Sequence, residues 1–325
     1  MKAILVENNS TNLYIDEVQN QIINEHEIKV NIKATAINRA DLLQRMGLYP
    51  PPPGETEIMG LEMSGVVSEV GEKVTNVTVG DRVYSLLPGG GYADTVVIQS
   101  GSAMKIPDGM TFEEAAAIPE VFLTAYLNLK LIGALQKDEF VLIHAGASGV
   151  GTAAIQVTKE MGAKVIATAG SPEKLEKCRE LGADYVINYK LDDFAEEVRK
   201  ITNEGVHVIL DFIGASYWER NCKSIRTGGK WILLGLLGDS KISNFDLTVM
   251  LQKNIHFIGS TLRSKSKEFK IQLTKEFDAF AMPLFENGSL RPVIDKVYSW
   301  QDVEEAHEYM QLNKNIGKIV LRIDE

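Results

Sequence analysis

The chain has only two cysteines, Cys178 and Cys222, in 325 residues. That is too few for a disulfide framework or a four-cysteine zinc lobe. Cys178 falls inside an amphipathic helical pattern, Pro172 to Leu181, where a core or partly buried thiol is expected. Long apolar runs are missing too. No stretch reaches membrane-spanning length, and the opening Met1-Lys2-Ala3-Ile4-Leu5-Val6 alternates like a strand and lacks the apolar region of a signal peptide. A cytoplasmic location is the resulting expectation. Runs of positive charge are also absent. With 34 Lys and Arg against 44 Asp and Glu, the net charge is -10, which repels nucleic acid and anionic membranes. Histidine is scarce, and His26, His207, His256 and His307 show no ligand spacing.

What is present is an ordinary globular balance, 45% hydrophobic and 24% charged, over a length that suggests two domains. The first 118 or so residues read as short strands and turns. Glu27 to Ala36 alternates with period two, and Ser64 to Val70 and Asp81 to Leu86 look similar. Pro50 to Pro53 with Gly54, then Gly71, Gly80 and Gly89-Gly90-Gly91, punctuate them, as in a compact β-barrel-like domain. Near Thr111 the texture changes. Strand-like runs at Glu139–His144, Lys164–Ala169, Tyr185–Asn188, Val206–Phe212, Lys230–Leu234 and Ile255–Ile258 alternate with helical patterns such as Lys174–Leu181 and Phe194–Thr202. That alternation predicts a doubly wound parallel sheet. After Thr261 the chain turns polar and helical and ends in a strand, Lys318 to Ile323, which is expected to pack back on the N-terminal domain. Ile255 to Gly259 reads as an exposed edge strand. Long edges are usually paired or protected, and proteins that this chain resembles, as set out below, join two such sheets across a dimer, so a homodimer is expected.

The chemistry concentrates at Gly146-Ala147-Ser148-Gly149-Val150-Gly151. This glycine-rich string sits between a buried strand and an amphipathic helix, the context in which glycines let the backbone approach a pyrophosphate at a helix N-terminus. At the end of the next strand, NAD-preferring sheets carry an acidic residue for the ribose 2′-hydroxyl. Here Gly170, Ser171 and Lys174 stand in that neighbourhood. The missing carboxylate and the nearby ammonium favour NADPH; Glu173, as the adjacent helical residue, is expected to point elsewhere. His144 ends a buried strand and is expected to be a satisfied core residue. Phe122 and Tyr126, at helical spacing, are expected in the core.

Asn38-Arg39-Ala40-Asp41, Gly60-Leu61-Glu62-Met63-Ser64-Gly65, Gly80-Asp81-Arg82-Val83, Ala115-Ala116-Ala117-Ile118-Pro119 and the glycine turn together resemble the medium-chain dehydrogenase/reductase superfamily over essentially the whole chain. The stretch from Asn38 through Tyr49, with Leu86 to Gly91, Ser216-Tyr217-Trp218 and Asn313 to Lys318, looks most like its quinone oxidoreductase group, nearest the p53-inducible branch. The resemblance implies a GroES-like β-barrel catalytic domain over 1–119 and 263–325 and a Rossmann NADPH-binding domain over 120–262. Zinc alcohol dehydrogenases of the superfamily carry a cysteine where Asn38 stands and a histidine where Leu61 stands, so no catalytic metal is expected. By resemblance, Tyr49, Thr124, Ser148, Gly149, Val150, Gly170, Ser171, Lys174, Tyr189, Gly214, Gly235 and Asn315 bind the cofactor. Ser148 stands where many relatives have glycine, a departure this branch shares.

Tyr49 is assigned to the reaction centre, its hydroxyl bonding the acceptor oxygen or the nicotinamide. Asn38 either polarises an acceptor carbonyl or holds its loop through backbone bonds; Asp41 reads as a helix N-terminal charge. A quinone is electron-poor and needs neither a Lewis acid nor an obligatory base, and its reduction can pass as hydride or as single electrons. Two alternatives remain: an NADPH-dependent alkenal or enoyl double-bond reductase, and a low-turnover NADPH-binding protein that binds RNA, against which the acidic balance weighs.

Overall fold

A computed structural model describes residues 1–8, 10–243 and 245–324. The chain forms two compact units, one of Met1–Leu123 with Arg263–Glu325 and one of Thr124–Leu262.

In the first unit the long strand Glu27–Ile37 organises a seven-stranded sheet. Its alternating Ile28, Val30, Ile32 and Ala34 are all buried, which is the period-two pattern read above. Eleven residues are long enough to serve three neighbours. Glu27–Asn31 pairs with Thr95–Gln99, Ala34–Ile37 with the C-terminal strand Lys318–Arg322, and the opposite edge with Glu62–Val70, all antiparallel. Gly65 allows this last pairing, since a Cβ there would lie 2.1 Å from the Asn31 carbonyl oxygen. The C-terminal strand thus joins the sheet of the first unit. One element differs from the reading above. Ile294–Ser299 is a strand, parallel to Lys318–Arg322, within a stretch read as polar and helical. Its sequence, Ile-Asp-Lys-Val-Tyr-Ser, pairs on one side only, so it needs little apolar character. Helix Val303–Gln311 covers the sheet with buried Val303, Ala306 and Met310.

The second unit is a six-stranded parallel sheet. Its order is Tyr185–Asn188, Lys164–Ala169, Phe140–Ile143, Val206–Asp211, Ile225–Leu233, His256–Gly259. Strand order reverses between Phe140–Ile143 and Val206–Asp211, and crevices for ligands form at the carboxyl ends beside such a reversal. Val141, Leu142, Ile143, Ile209 and Leu210 are completely buried, consistent with helices on both faces. Strand Ile225–Leu233 begins five residues before the run at Lys230 that apolar patterning marks, because its start contains Thr227-Gly228-Gly229, a turn-like string. A register shift between Val206 and Val208 accommodates it. Cys178 is fully buried, and burial pushes its thiol up to about 12.

Candidate functional site

In the second unit the chain after Phe140–Ile143 turns through Ala145, at φ 48°, into helix Gly149–Glu160. Ser148 is the N-cap, its Oγ accepting the Gly151 N–H at 3.1 Å. Gly149 and Val150 open the helix, where N–H groups have no intrahelical acceptor and the dipole is positive. Gly151 is required by contact: a Cβ would lie 2.4 Å from the Ala145 carbonyl oxygen and 2.6 Å from that of Gly146. The turn is thus a tight, anion-accepting cradle at the carboxyl edge of the sheet.

At the end of the neighbouring strand, Ser171 caps helix Pro172–Glu180 through the Lys174 N–H, at 3.4 Å. Lys174 therefore lies on the opening turn, beside Gly170. The Glu173 carboxyl is held below its usual range by its own backbone N–H and the Ser171 hydroxyl. Tyr189 follows the strand Tyr185–Asn188, its ring 6.2 Å from that of Tyr217. Gly214, at φ 89°, packs where a Cβ would meet Leu236 Cδ2 at 2.7 Å, and Gly235 follows Ile225–Leu233 with space only for ordinary contact against Phe212. Thr124 is buried, its carbonyl accepting from Asn128 Nδ2 at 2.8 Å.

A buried polar chain that sequence patterning does not reveal ties these strand ends together. Asp211 accepts four hydrogen bonds: Oδ1 from the N–H groups of Ile213 (2.7 Å) and Gly214 (3.1 Å), Oδ2 from Asn221 Nδ2 (3.1 Å) and Trp231 Nε1 (2.9 Å). Because Asn221 donates to Asp211, its Oδ1 accepts from His144 Nε2, at 2.8 Å. His144 Nδ1 then accepts from the Thr168 hydroxyl at 3.0 Å. Burial lowers the His144 pKa and keeps the ring neutral. His144 is a satisfied core residue, as read from its position, and Phe122 and Tyr126 are likewise buried.

The first unit holds Asn38, Tyr49 and Asn315. Asn38 is the N-cap of helix Arg39–Arg45. Its Nδ2 donates to Glu62 Oε1 at 2.8 Å and to the Ala36 carbonyl, and its Oδ1 accepts from Lys318 Nζ at 2.6 Å. Lys318, 3% exposed, also reaches Glu62 Oε1 at 2.7 Å and the Ile37 carbonyl at 3.0 Å, which uses all three of its donors. Glu62 Oε2 takes the Glu120 N–H at 2.8 Å. Both functional groups of the Asn38 amide thus have partners within its loop and on Glu62 and Lys318. Asp41 joins in by accepting from the N–H groups of Asn38 (2.7 Å) and Gly60 (3.1 Å), and desolvation raises its pKa to about 6. Asn315 Nδ2 donates to the Gly317 carbonyl at 2.7 Å.

Tyr49 lies in the proline-rich loop. Arg263, 5% exposed, clamps that loop: its guanidinium lies 5.3 Å from the Tyr49 ring centroid and donates to the Pro88 carbonyl (2.9 Å), the Tyr49 carbonyl (3.4 Å) and Gln44 Oε1 (2.8 Å). Burial, then the charge of Glu120, raises the Tyr49 pKa, keeping its hydroxyl protonated. Glu120 itself is pushed up to about 8, first by burial and then by Glu62. Arg263, Lys318, Glu120 and Asp211 are the residues sequence reasoning missed. Each is an ionisable side chain whose partners or neighbours are mostly distant in the chain, and no local spacing announces it.

The Glu120 shift makes a pH prediction. With a folded pKa near 8 against about 4.5 when unfolded, the folded chain holds the extra proton between those values. The associated stability is complete below pH ~4.5 and is lost as pH rises through about 8. The wild-type Tm should therefore fall relative to Glu120→Gln between pH 6 and 9. Parallel Tm curves for the two proteins would refute the assignment.

Among the described residues, no group of three or more His, Cys, Asp or Glu side chains is arranged to hold a metal. The chain matches the family model Alcohol dehydrogenase GroES-like domain over residues 24–108 and the model Zinc-binding dehydrogenase over 149–279. It is 34% identical over 308 residues to the Synaptic vesicle membrane protein VAT-1 homolog of Danio rerio, covering 91% of this chain and 64% of that protein, so it spans just under two thirds of that relative. Quinone oxidoreductase-like protein 2 of Bos taurus is 31% identical over 314 residues, 96% of this chain and 89% of its own. Among solved structures, Escherichia coli quinone oxidoreductase complexed with NADPH matches at TM-score 0.88 and 29% identity, covering 99% of this chain and all of that one. CurK enoyl reductase matches at TM-score 0.88 and 29% identity, with 99% of both chains covered.

Proposed function

The chain belongs to the medium-chain dehydrogenase/reductase superfamily, and on that premise we propose that it is an NADPH-dependent quinone oxidoreductase that works without zinc. It is an oxidoreductase with a GroES-like N-terminal domain and a Rossmann parallel sheet. One observation carries the metal-free reading. Where zinc members place a cysteine and a histidine, this chain has Asn38 and Leu61; of the two carboxylates that remain, Asp41 accepts the Asn38 and Gly60 N–H groups and Glu62 pairs with Lys318. An amide, a leucine and carboxylates bonded to an internal ammonium and to backbone N–H groups do not make zinc's usual tetrahedral nitrogen and sulfur site. An acceptor that needs no Lewis acid fits that arrangement, and a quinone is one.

The NADPH reading rests on the residues of the second unit. The Ser148-capped turn with Gly149 and Val150 suits a pyrophosphate, and Gly170, Ser171, Lys174 and Tyr189 suit a 2′-phosphate. Thr124, Gly214, Gly235, Asn315 and Tyr49 complete the proposed cofactor set. When bound, the nicotinamide supplies the reducing equivalents. The chain's own part at the acceptor is the Tyr49 hydroxyl, fixed by Arg263 and donating a hydrogen bond to the acceptor oxygen, with Asn38 supporting the loop. A homodimer through the exposed edge His256–Gly259, where Phe257 is 40% exposed, and a cytoplasmic location belong to the same proposal. Among the described residues, no helix is long and apolar enough to cross a membrane.

Steady-state oxidation of NADPH and NADH with a panel of quinones and enals tests the reading. Quinone turnover that prefers NADPH is expected. Turnover with enals but not quinones would replace it with the double-bond reductase reading, which the likeness to CurK enoyl reductase supports. Tyr49→Phe separates the two chemistries. Quinone reduction should fall by less than about tenfold, since only one hydrogen bond is lost. A loss of a hundredfold or more, on the scale of a removed proton donor, would mark alkene reduction.

A further inference from the structure

Gly170 follows the strand Lys164–Ala169, and two side chains from the adjacent strand's exit lie across it. A Cβ built on Gly170 would come 2.7 Å from Tyr189 Oη and 2.9 Å from Lys190 Cε. The glycine therefore leaves a crease that these side chains occupy, and any side chain there, an acidic one included, would displace both. The backbone beneath them is fixed. The Tyr189 N–H donates to the Ala169 carbonyl at 3.3 Å, the Lys190 N–H to Asn188 Oδ1 at 3.1 Å, and the N–H groups of Leu191 and Asp192 to the Asn188 carbonyl. This turn directs the Lys190 side chain back over the strand end. Among the described residues its ammonium enters no ion pair, unlike Lys159, Lys177 and Lys200, which pair with Asp184, Glu180 and Glu197.

We propose that Lys190 is a specificity-determining cation for the 2′-phosphate, acting with Lys174 and Tyr189 around Gly170; this rests on the NADPH reading above. Lys190, on the turn after Tyr185–Asn188, and Lys174, on the opening turn of helix Pro172–Glu180 and 16 positions earlier, both stand on segments that leave the strands at Gly170 and Tyr189. Two of the nearby carboxylates are held in place by hydrogen bonds to the chain. Asp193 Oδ1 is bonded to the Ala195 N–H at 2.9 Å, and Glu173 is engaged by Ser171 and its own N–H. Asp192 is exposed on the turn.

Calorimetric binding of NADPH, NADH, adenosine 2′,5′-bisphosphate and 5′-AMP tests this without turnover. Lys190→Met should weaken NADPH and the 2′,5′-bisphosphate by about tenfold, the scale of one partly solvated charge-assisted contact. It should leave NADH and 5′-AMP within about twofold and flatten the salt dependence of NADPH binding. Lys190→Arg should restore the preference, and Gly170→Ala, which displaces both covering side chains, should reproduce the loss. Lys190 is exposed, so thermal unfolding should be unchanged in Lys190→Met. A wild-type preference for NADPH that survives Lys190→Met overturns the assignment alone. Equal wild-type affinity for NADPH and NADH overturns the cofactor reading together with it.

Discussion

Lys318→Met is expected to destabilise the folded chain by about 3–5 kcal/mol, the cost of leaving a buried charge without its partner. Glu62 is fully buried, and its Oε1 would lose the ammonium at 2.7 Å and keep only the Asn38 amide, while the Asn38 Oδ1 and Ile37 carbonyl would each lose a donor. Methionine fills much of the lysine stem's volume, so the loss reports charge and hydrogen bonds more than packing. The double variant Lys318→Met, Glu62→Gln removes the stranded charge and should recover about half or more of the loss, since hydrogen-bonded amides replace a buried ion. Denaturant unfolding of the four proteins of this cycle measures the coupling. Simple additivity, with no recovery in the double variant, would show that Glu62 does not depend on Lys318.

Asp211→Ala should cost on the order of 4 kcal/mol, because several buried donors lose one acceptor at once. Asp211→Asn is the more informative change. Its amide oxygen still serves the Ile213 and Gly214 N–H groups, but its NH2 faces the donors of Asn221 and Trp231. Relief requires Asn221 to flip, which turns its NH2 toward His144 Nε2 and forces the ring to move its proton to Nδ1. The Thr168 hydroxyl must then rotate to accept. Four strand ends are therefore coupled to one oxygen. We expect a shifted Trp231 fluorescence, a lower Tm, and NADPH binding weakened by about tenfold or more, roughly 1.4 kcal/mol, at temperatures where the protein stays folded. A variant with wild-type cofactor affinity and a lowered Tm would show that the network stabilises the sheet without setting the binding turns.

Particular residues show where sequence reasoning ended. The Glu27–Ile37 strand and the parallel strands were legible because burial imposes a period of two, or a continuous apolar run, on any sequence that forms them. The glycine turn was legible because Gly146 and Gly151 meet backbone and side-chain atoms that no Cβ tolerates. The Ile294–Ser299 strand was not, since one pairing partner and a half-exposed face ask little of its composition.

The zinc question divides at the same line. Two cysteines in the whole chain, with Asn38 and Leu61 at the positions the family uses for metal ligands, were decided by the sequence alone. So was the absence of a carboxylate at Gly170. The partner of Glu62 and Asn38 was decided only by the tertiary structure, which brings Lys318 from the C-terminal strand onto residues some 256 and 280 positions earlier. Likewise only the fold carries Arg263 to Tyr49 and Lys190 to Gly170. The physical reason is that backbone pattern and ligand identity are local properties of a chain. Compensation of buried charge is not local: it belongs to whichever side chains the strand pairings bring within hydrogen-bonding distance.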